Sequence, residues 1–259
     1  MTAIATLLDA LGSGQVSIID LTAPLSSQTP VLHLPAPFAN TIPLSLEKVS
    51  DFDDDGPFWG WNNIHTGEHT GTHVDAPTHW ASGRDGHSVD TIAPSRLVGP
   101  AVVIDFTAEA SADPDFLLEP EHLEAYVAAN GPLPAGSWLI YRTGWSRYSQ
   151  DSAAFLNADE NGPHSPGVSA AGAEWLARSP ITGFGVETVG IDAGKAAGLE
   201  PPFPVHDNLL GADKYGLTQL QNLDQLPATD AMIIAAPLPI VGGTGSPARA
   251  FAIIPGRSE

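Results

Sequence analysis

Short apolar segments, each bounded by glycine, proline or aspartate, most strongly constrain how this chain can fold. They have the length and the β-branched or aromatic content of buried strands. The strands predicted in this way cover residues 16–22, 101–106, 138–142, 183–187, 231–235 and 248–254. The number of such segments indicates that strands supply most of the regular structure.

Three segments have helical periodicity. The first covers residues 2–12, the second covers 119–129 and ends at Asn130-Gly131, and the third covers 169–178, with Ser169 as a cap. Strands therefore outnumber helices. This pattern predicts an α/β or α+β fold, a single domain over residues 1–259 with a mixed β-sheet and flanking helices. The 26 glycines and 24 prolines are dispersed, so no linker or repeat is expected.

Composition excludes several classes of function. The chain has no cysteine, so disulfides, thiolate nucleophiles and thiolate metal sites are ruled out. A formal charge of −20 repels phosphate backbones and anionic lipid, so neither nucleic acid nor a membrane is expected as a partner. The N-terminal segment has no secretory pattern, and we expect a soluble, cytoplasmic protein.

One segment, HTGTHVDAPTH at residues 69–79, concentrates three of the nine histidines and an aspartate. If residues 65–75 are extended, side chains alternate between faces, and His69, His73 and Asp75 share one face. Pro77 is expected to end the strand and to bring His79 to the same side. A lone histidine is most often structural, whereas four titratable groups on one face repel or desolvate one another unless an ion organises them.

Imidazole and carboxylate are the ligands that Zn²⁺ and Mn²⁺ take in sites without cysteine. A metal at this position would acidify a water and polarise a carbonyl, as amide or lactone hydrolysis requires. Just upstream, Phe58, Trp59 and Trp61 could form an aromatic wall for a planar substrate, although core packing is an equally good interpretation.

The motif at residues 69–79 resembles the signature of the cyclase family of metal-dependent hydrolases, which includes bacterial kynurenine formamidase and isatin hydrolase. Four further segments follow in the order expected for this family. They are Ile19-Asp20-Leu21-Thr22, Val205-His206-Asp207 with Leu209-Leu210-Gly211, Asn222-Leu223-Asp224, and Gly245-Ser246-Pro247 followed by Arg249. The sequence from Glu68 to His73 is more similar to the isatin hydrolase branch.

The resemblance implies a swivelling β/α fold and a homodimer or homotetramer. It implies that His69, His73 and Asp75 hold a metal, that His79 is the acid/base, and that His206 helps to hold a second ion. It also places Ser246 in a loop beside the active site, where it would contact substrate.

Two departures from the formamidase pattern concern the second ion and the substrate. Twelve residues after His206, where the formamidases have a bridging glutamate, this chain has Thr218. Either Gln219 supplies a neutral oxygen instead, or the second site is weak or absent. The formamidase tryptophan after Thr-Pro-Val is replaced by Leu32, which argues against N-formylkynurenine as the substrate.

The sequence therefore predicts a metal-dependent amidohydrolase that cleaves the C–N bond of a small cyclic amide or N-acyl substrate through metal-activated water. Mn²⁺ is slightly favoured over Zn²⁺. Two alternatives remain open. One is a lactone hydrolase or ring-closing dehydratase with the same metal site, and the other is a catalytically silent metal-binding or ligand-binding member of the family.

Overall fold

The structure is a computed structural model that describes residues 2–34 and 37–256. Its strands are β1 (Val16–Asp20), β2 (Ser45–Asp51), β3 (Gly60–His65), β4 (His73–Asp75), β5 (Val98–Asp105), β6 (Leu117–Leu118), β7 (Trp138–Arg142), β8 (Gly167–Val168), β9 (Gly183–Val186), β10 (Tyr215–Thr218), β11 (Ala231–Pro237) and β12 (Gly245–Pro255). Its α-helices are α1 (Ala3–Ser13), α2 (Thr107–Ala112), α3 (Pro120–Asn130), α4 (Ser152–Leu156) and α5 (Ala170–Arg178).

Eight strands form one mixed sheet in the order β1-β12-β11-β5-β7-β9-β10-β4. Strands β5, β7, β9 and β10 run parallel, and the remaining neighbours are antiparallel. Strand β4 also pairs with β12, so the sheet closes on itself like a barrel. The short strand β4 therefore lies between β10 and β12 at the seam where the sheet closes.

Alternation along the strands divides the core into two clusters. Val103, Ile140 and Ile233 belong to the cluster inside the closed sheet. Their neighbours Ile104 and Leu139 face the other way, and they belong to the cluster under the helices. The mixed sheet with flanking helices predicted from the sequence is confirmed, since each predicted long strand and helix is present within a few residues of its expected ends.

A two-stranded sheet of β2 and β3 lies outside the barrel. Every residue of β3 is exposed, and so are Phe58 and Trp59 just before it. This hairpin was not predicted, because its strands carry polar and apolar residues on both faces and so lack the alternation of a half-buried strand.

The prediction that residues 65–75 form one extended segment is wrong. Strand β3 ends at His65, and β4 begins only at His73. Between them Gly71 takes a φ of 66°, a left-handed conformation that glycine adopts without penalty. A Cβ at this position would lie 2.2 Å from Leu25 Cδ2. The chain therefore turns between His69 and His73 and does not present them from one strand face.

Within the described residues, no helix is both long and apolar enough to cross a membrane.

Candidate metal centre

The seam of the barrel positions the histidine motif. His73 and Asp75 lie on β4 and are buried, with β10 on one side and β12 on the other. His69 comes from the turn that precedes β4. A single 3-10 turn, Pro77–His79, follows the strand and carries His79 back to the same place. The proline ends the strand, as its position in the sequence predicts.

Three imidazoles converge on the Asp75 carboxylate. His69 Nδ1 lies 2.7 Å from Oδ1, and His73 Nε2 lies 3.2 Å from the same oxygen. His206 Nε2 approaches the other oxygen, Oδ2, at 4.0 Å. His206 begins a π-helical turn, His206–Leu210, a feature that is frequent at functional sites. The structure thus brings together the four residues at positions 69, 73, 75 and 206 that the resemblance assigns to metal binding.

The donor set fits a divalent cation. Oδ2 of Asp75 is buried and has no hydrogen-bond partner among the described residues. Such an oxygen is costly to bury unless a cation binds it. Since metal–ligand distances are about 2.0–2.2 Å, ligands of one ion lie a few ångströms apart, as Oδ2 and His206 Nε2 do. One ligand atom each from His69, Asp75 and His79 also lies within 4.8 Å of the other two.

The charge state of Asp75 suits this role. Burial raises the pKa of the carboxyl, but the charges and hydrogen bonds of His73 and His69 outweigh it and hold the pKa well below its usual range. Asp75 is therefore an anion surrounded by imidazoles.

The second ring nitrogen of each imidazole is held by the protein. Nδ1 of His73 donates to the carbonyl oxygen of Gly71 at 2.7 Å and lies 2.8 Å from the Thr218 hydroxyl. Nδ1 of His206 donates to Asp192 at 2.5 Å. Burial opposes the charged form of His206, but this carboxylate outweighs it and raises the pKa. Such partners orient metal-binding histidines and fix their tautomers.

His79 lies against this cluster. Its ring stacks on that of His69, with 3.8 Å between the centroids. The pKa of His79 is lowered to about 3, and burial is the main cause. The neighbouring imidazoles lower it further, whereas the charge of Asp75 acts in the opposite direction. The imidazole is therefore neutral at ordinary pH.

The aromatic residues nearest the cluster are not the predicted ones. Trp80 packs on His206 with 4.8 Å between ring centroids, and Phe203 packs on Trp80 at 5.7 Å. Phe58, Trp59 and Trp61 instead lie on the outer hairpin, with 82%, 51% and 57% of their surface exposed. Their contact with substrate stays a prediction. Trp80 could have been found from the sequence, since it directly follows His79.

Three further polar residues near the site make hydrogen bonds within the protein: Thr218, Gln219 and Ser246. Thr218 packs its hydroxyl against the His73 ring. Gln219 has a left-handed φ of 53°, and its side-chain nitrogen Nε2 donates to the Pro30 carbonyl oxygen at 3.4 Å. Ser246 donates to the carbonyl oxygen of Pro247 and accepts from the amide of Leu238. Metal binding by Gln219 and substrate binding by Ser246 stay predictions.

Sequence reasoning missed Asp192. This buried carboxylate accepts from the backbone amides of Val205 and His206 as well as from the His206 ring. No local signal identifies it, because Asp192 lies 14 residues before His206 and belongs to no motif.

Comparison with known proteins agrees with this geometry. The Cyclase family model matches residues 19–193. Isatin hydrolase of Roseibium aggregatum is 50% identical over 94% of both chains, and kynurenine formamidase of Polaromonas naphthalenivorans is 32% identical over 73% of both. A crystal structure of an isatin hydrolase bound to the product analogue thioisatinate superposes with a TM-score of 0.95. It has 48% identity and covers 98% of this chain and all of that one.

The superposition confirms the predicted cyclase-like fold. The chain belongs to the cyclase family, and it is a metal-dependent hydrolase of amide C–N bonds.

Proposed function

We propose that this hydrolase opens the lactam ring of isatin or of a closely related bicyclic lactam. The observation that carries this proposal is the 50% identity to isatin hydrolase over 94% of both chains. Replacement of the formamidase tryptophan by Leu32 points the same way. Trp80 and Phe203 supply flat apolar surfaces beside His206, which suit an aromatic bicyclic substrate.

In this proposal His69, His73 and Asp75 hold the ion, and His206 approaches the other oxygen of the Asp75 carboxylate, where it would help to hold a second ion. The ion, when bound, polarises the substrate carbonyl and acidifies a water. Water oxygen forms a bond to the carbonyl carbon while the C–N bond breaks. The product of ring opening is a single molecule that carries both a carboxylate and an aromatic amine.

His79 is proposed to carry the proton between these two events. Its ring lies within 4.8 Å of the ligand atoms of His69 and Asp75, yet it comes from the turn after β4 and not from the strand. It can accept a proton from the attacking water and return it to the leaving nitrogen. General acid–base catalysis of this kind contributes about 10²–10⁴-fold to the rate.

We propose Mn²⁺ as the metal ahead of Zn²⁺, because all donors are imidazole and oxygen. A second ion, if bound, would use His206 and the neutral oxygen of Gln219. It would bind more weakly than in the formamidases, because Thr218 carries no charge. A homodimer or homotetramer and a cytoplasmic location complete the proposal, as the resemblance and the sequence predict.

The test is a substrate panel on protein reloaded with Mn²⁺ or Zn²⁺. Isatin, N-formylkynurenine and an aromatic lactone are compared by kcat/KM, and metal per chain is counted by mass spectrometry. We expect isatin to be the best substrate with one or two ions bound. A preference for the formamide or the lactone would overturn the substrate assignment, and absence of bound metal would overturn the metal site.

A further inference from the structure

The ring of His69 is held from its outer side by a loop that precedes β12. Thr244, the last residue of this loop, places its hydroxyl oxygen 2.9 Å from Nε2 of His69. Thr244 also accepts from the amide of Ala76 at 2.9 Å through its own carbonyl oxygen. The loop is thus attached to the end of the strand that carries Asp75.

Glu68 determines the direction of the hydrogen bond between Thr244 and His69. One oxygen of its carboxylate, Oε2, accepts both from the Thr244 hydroxyl at 2.7 Å and from the Thr244 amide at 3.1 Å. A carboxylate only accepts hydrogen bonds, so the single hydroxyl proton of Thr244 points to Glu68. Towards His69, the hydroxyl oxygen therefore presents a lone pair.

This direction selects one tautomer of His69. A lone pair at Thr244 calls for a proton on Nε2, and the neutral ring then has a lone pair on Nδ1. Nδ1 is the atom that lies 2.7 Å from Asp75 Oδ1. Asp75 itself would favour the opposite tautomer, with the proton on Nδ1, where it would block a cation.

We propose that Glu68 and Thr244 are positioning residues that keep the ring proton of His69 on Nε2 and so leave Nδ1 free to bind the ion. This inference rests on the metal site of the proposed function. It is the counterpart of the direct contact between Asp192 and His206, with a hydroxyl inserted between carboxylate and imidazole.

Two glycines allow this close arrangement. A Cβ at Gly243 would lie 2.9 Å from Glu68 Oε1, and a Cβ at Gly245 would lie 2.5 Å from His69 Cε1. Real Cβ atoms essentially never approach so closely. At Gly245 the Cβ would also lie 2.5 Å from the backbone oxygen of Val74, so this side of the loop depends on glycine, whereas at Gly243 the end of the Glu68 side chain can shift.

The test compares four variants of the full chain. Thr244→Val removes the hydroxyl with little change of shape, and Thr244→Ser retains it. Glu68→Gln offers an N–H to Thr244, which can reverse the hydrogen bond and move the His69 proton to Nδ1. Thr91→Val is the matched control, because its hydroxyl bonds to Ser88.

Two readouts are used. The first is the dissociation constant of Mn²⁺, measured by competition with a chromogenic chelator. The second is whether Nε2 of His69 carries a proton in metal-free protein, measured by long-range ¹H–¹⁵N NMR. We expect Thr244→Val and Glu68→Gln to weaken Mn²⁺ binding about 10–100-fold, the usual effect of such partners, and to remove the proton from Nε2 of His69. Thr244→Ser and Thr91→Val should match the unaltered chain.

The inference is overturned if Thr244→Val binds Mn²⁺ as tightly as the unaltered chain, or if Nε2 of His69 carries no proton in the unaltered metal-free chain. Failure of the unaltered chain to bind any metal would instead count against the proposed function. In that case the NMR measurement alone still decides whether Glu68 and Thr244 select the tautomer.

Discussion

His206 Nε2 lies 4.0 Å from Asp75 Oδ2, although the two residues belong to parts of the chain far apart in sequence. The separation is too long for a hydrogen bond and matches two ligands of one cation. Asp192 holds His206 in this orientation through the other ring nitrogen.

Asp192→Ala is expected to weaken metal binding about 10–100-fold, because His206 loses the acceptor that orients it. It should also lower the free energy of unfolding by about 1–3 kcal/mol, since the buried amide of Val205 loses its partner. Chelator competition and urea denaturation measure the two effects. A metal affinity equal to that of the unaltered chain would show that Asp192 serves stability alone.

His79→Ala is expected to retain the metal and to lower kcat by about 10²–10⁴-fold, because the ring supplies the proton transfer and is not needed as a ligand. Metal content per chain and turnover of isatin are measured on the same preparation. Full activity would exclude His79 as the acid/base. Loss of the metal would make it a ligand instead.

His73→Ala is expected to lose both metal and activity, because Nε2 of His73 lies 3.2 Å from the Asp75 oxygen that it shares with His69. His65→Ala is the matched control. His65 lies on the outer hairpin and pairs with Glu47, so its removal should leave metal content unchanged. Equal metal content in the two variants would contradict the assignment of His73.

Gly245→Ala is expected to weaken metal binding more than its effect on folding explains. The added Cβ would lie 2.5 Å from both His69 Cε1 and the Val74 carbonyl oxygen, so the His69 ring has to move away from Asp75. Circular dichroism and chelator competition separate the two effects. An unchanged metal affinity in a folded variant would show that the ring relocates without loss.

His164, which lies away from the candidate metal centre, is expected to make a pH-dependent contribution to the free energy of unfolding. Its Nδ1 lies 2.9 Å from Asp115, and this carboxylate raises the pKa of His164 above its usual value. A raised pKa in the folded state stabilises the protein below the unfolded pKa of about 6.5, and the contribution disappears as pH rises through the folded value.

His164→Gln should therefore lower the free energy of unfolding at pH about 6 by about 0.2–1 kcal/mol, as expected for an ion pair near the surface, and much less at pH about 9. Urea denaturation at the two pH values measures the difference. A loss that is the same at both values would mean that the ion pair contributes nothing.

Local sequence pattern determined the main elements and the motif. Strand β7 and helix α5 were predicted nearly to the residue, because the signals that define them are local. For β7 the signal is a short apolar run, and for α5 it is the Ser169 cap before a helical pattern. The residues at 69, 73, 75 and 79 were identified as a group because their spacing is short. The predicted path between them was wrong, because the turn at Gly71 depends on packing against Leu25.

Tertiary structure alone decided what surrounds that motif. Closing the sheet through β4 brings Thr244 to His69, which are 175 residues apart in sequence, and the fold of the segment between β9 and β10 brings Asp192 to His206. The fold also leaves Phe58 exposed on the hairpin. A local pattern specifies which side chains can bind a cation. Which oxygen or hydroxyl orients each of them depends on contacts that form only in the folded barrel.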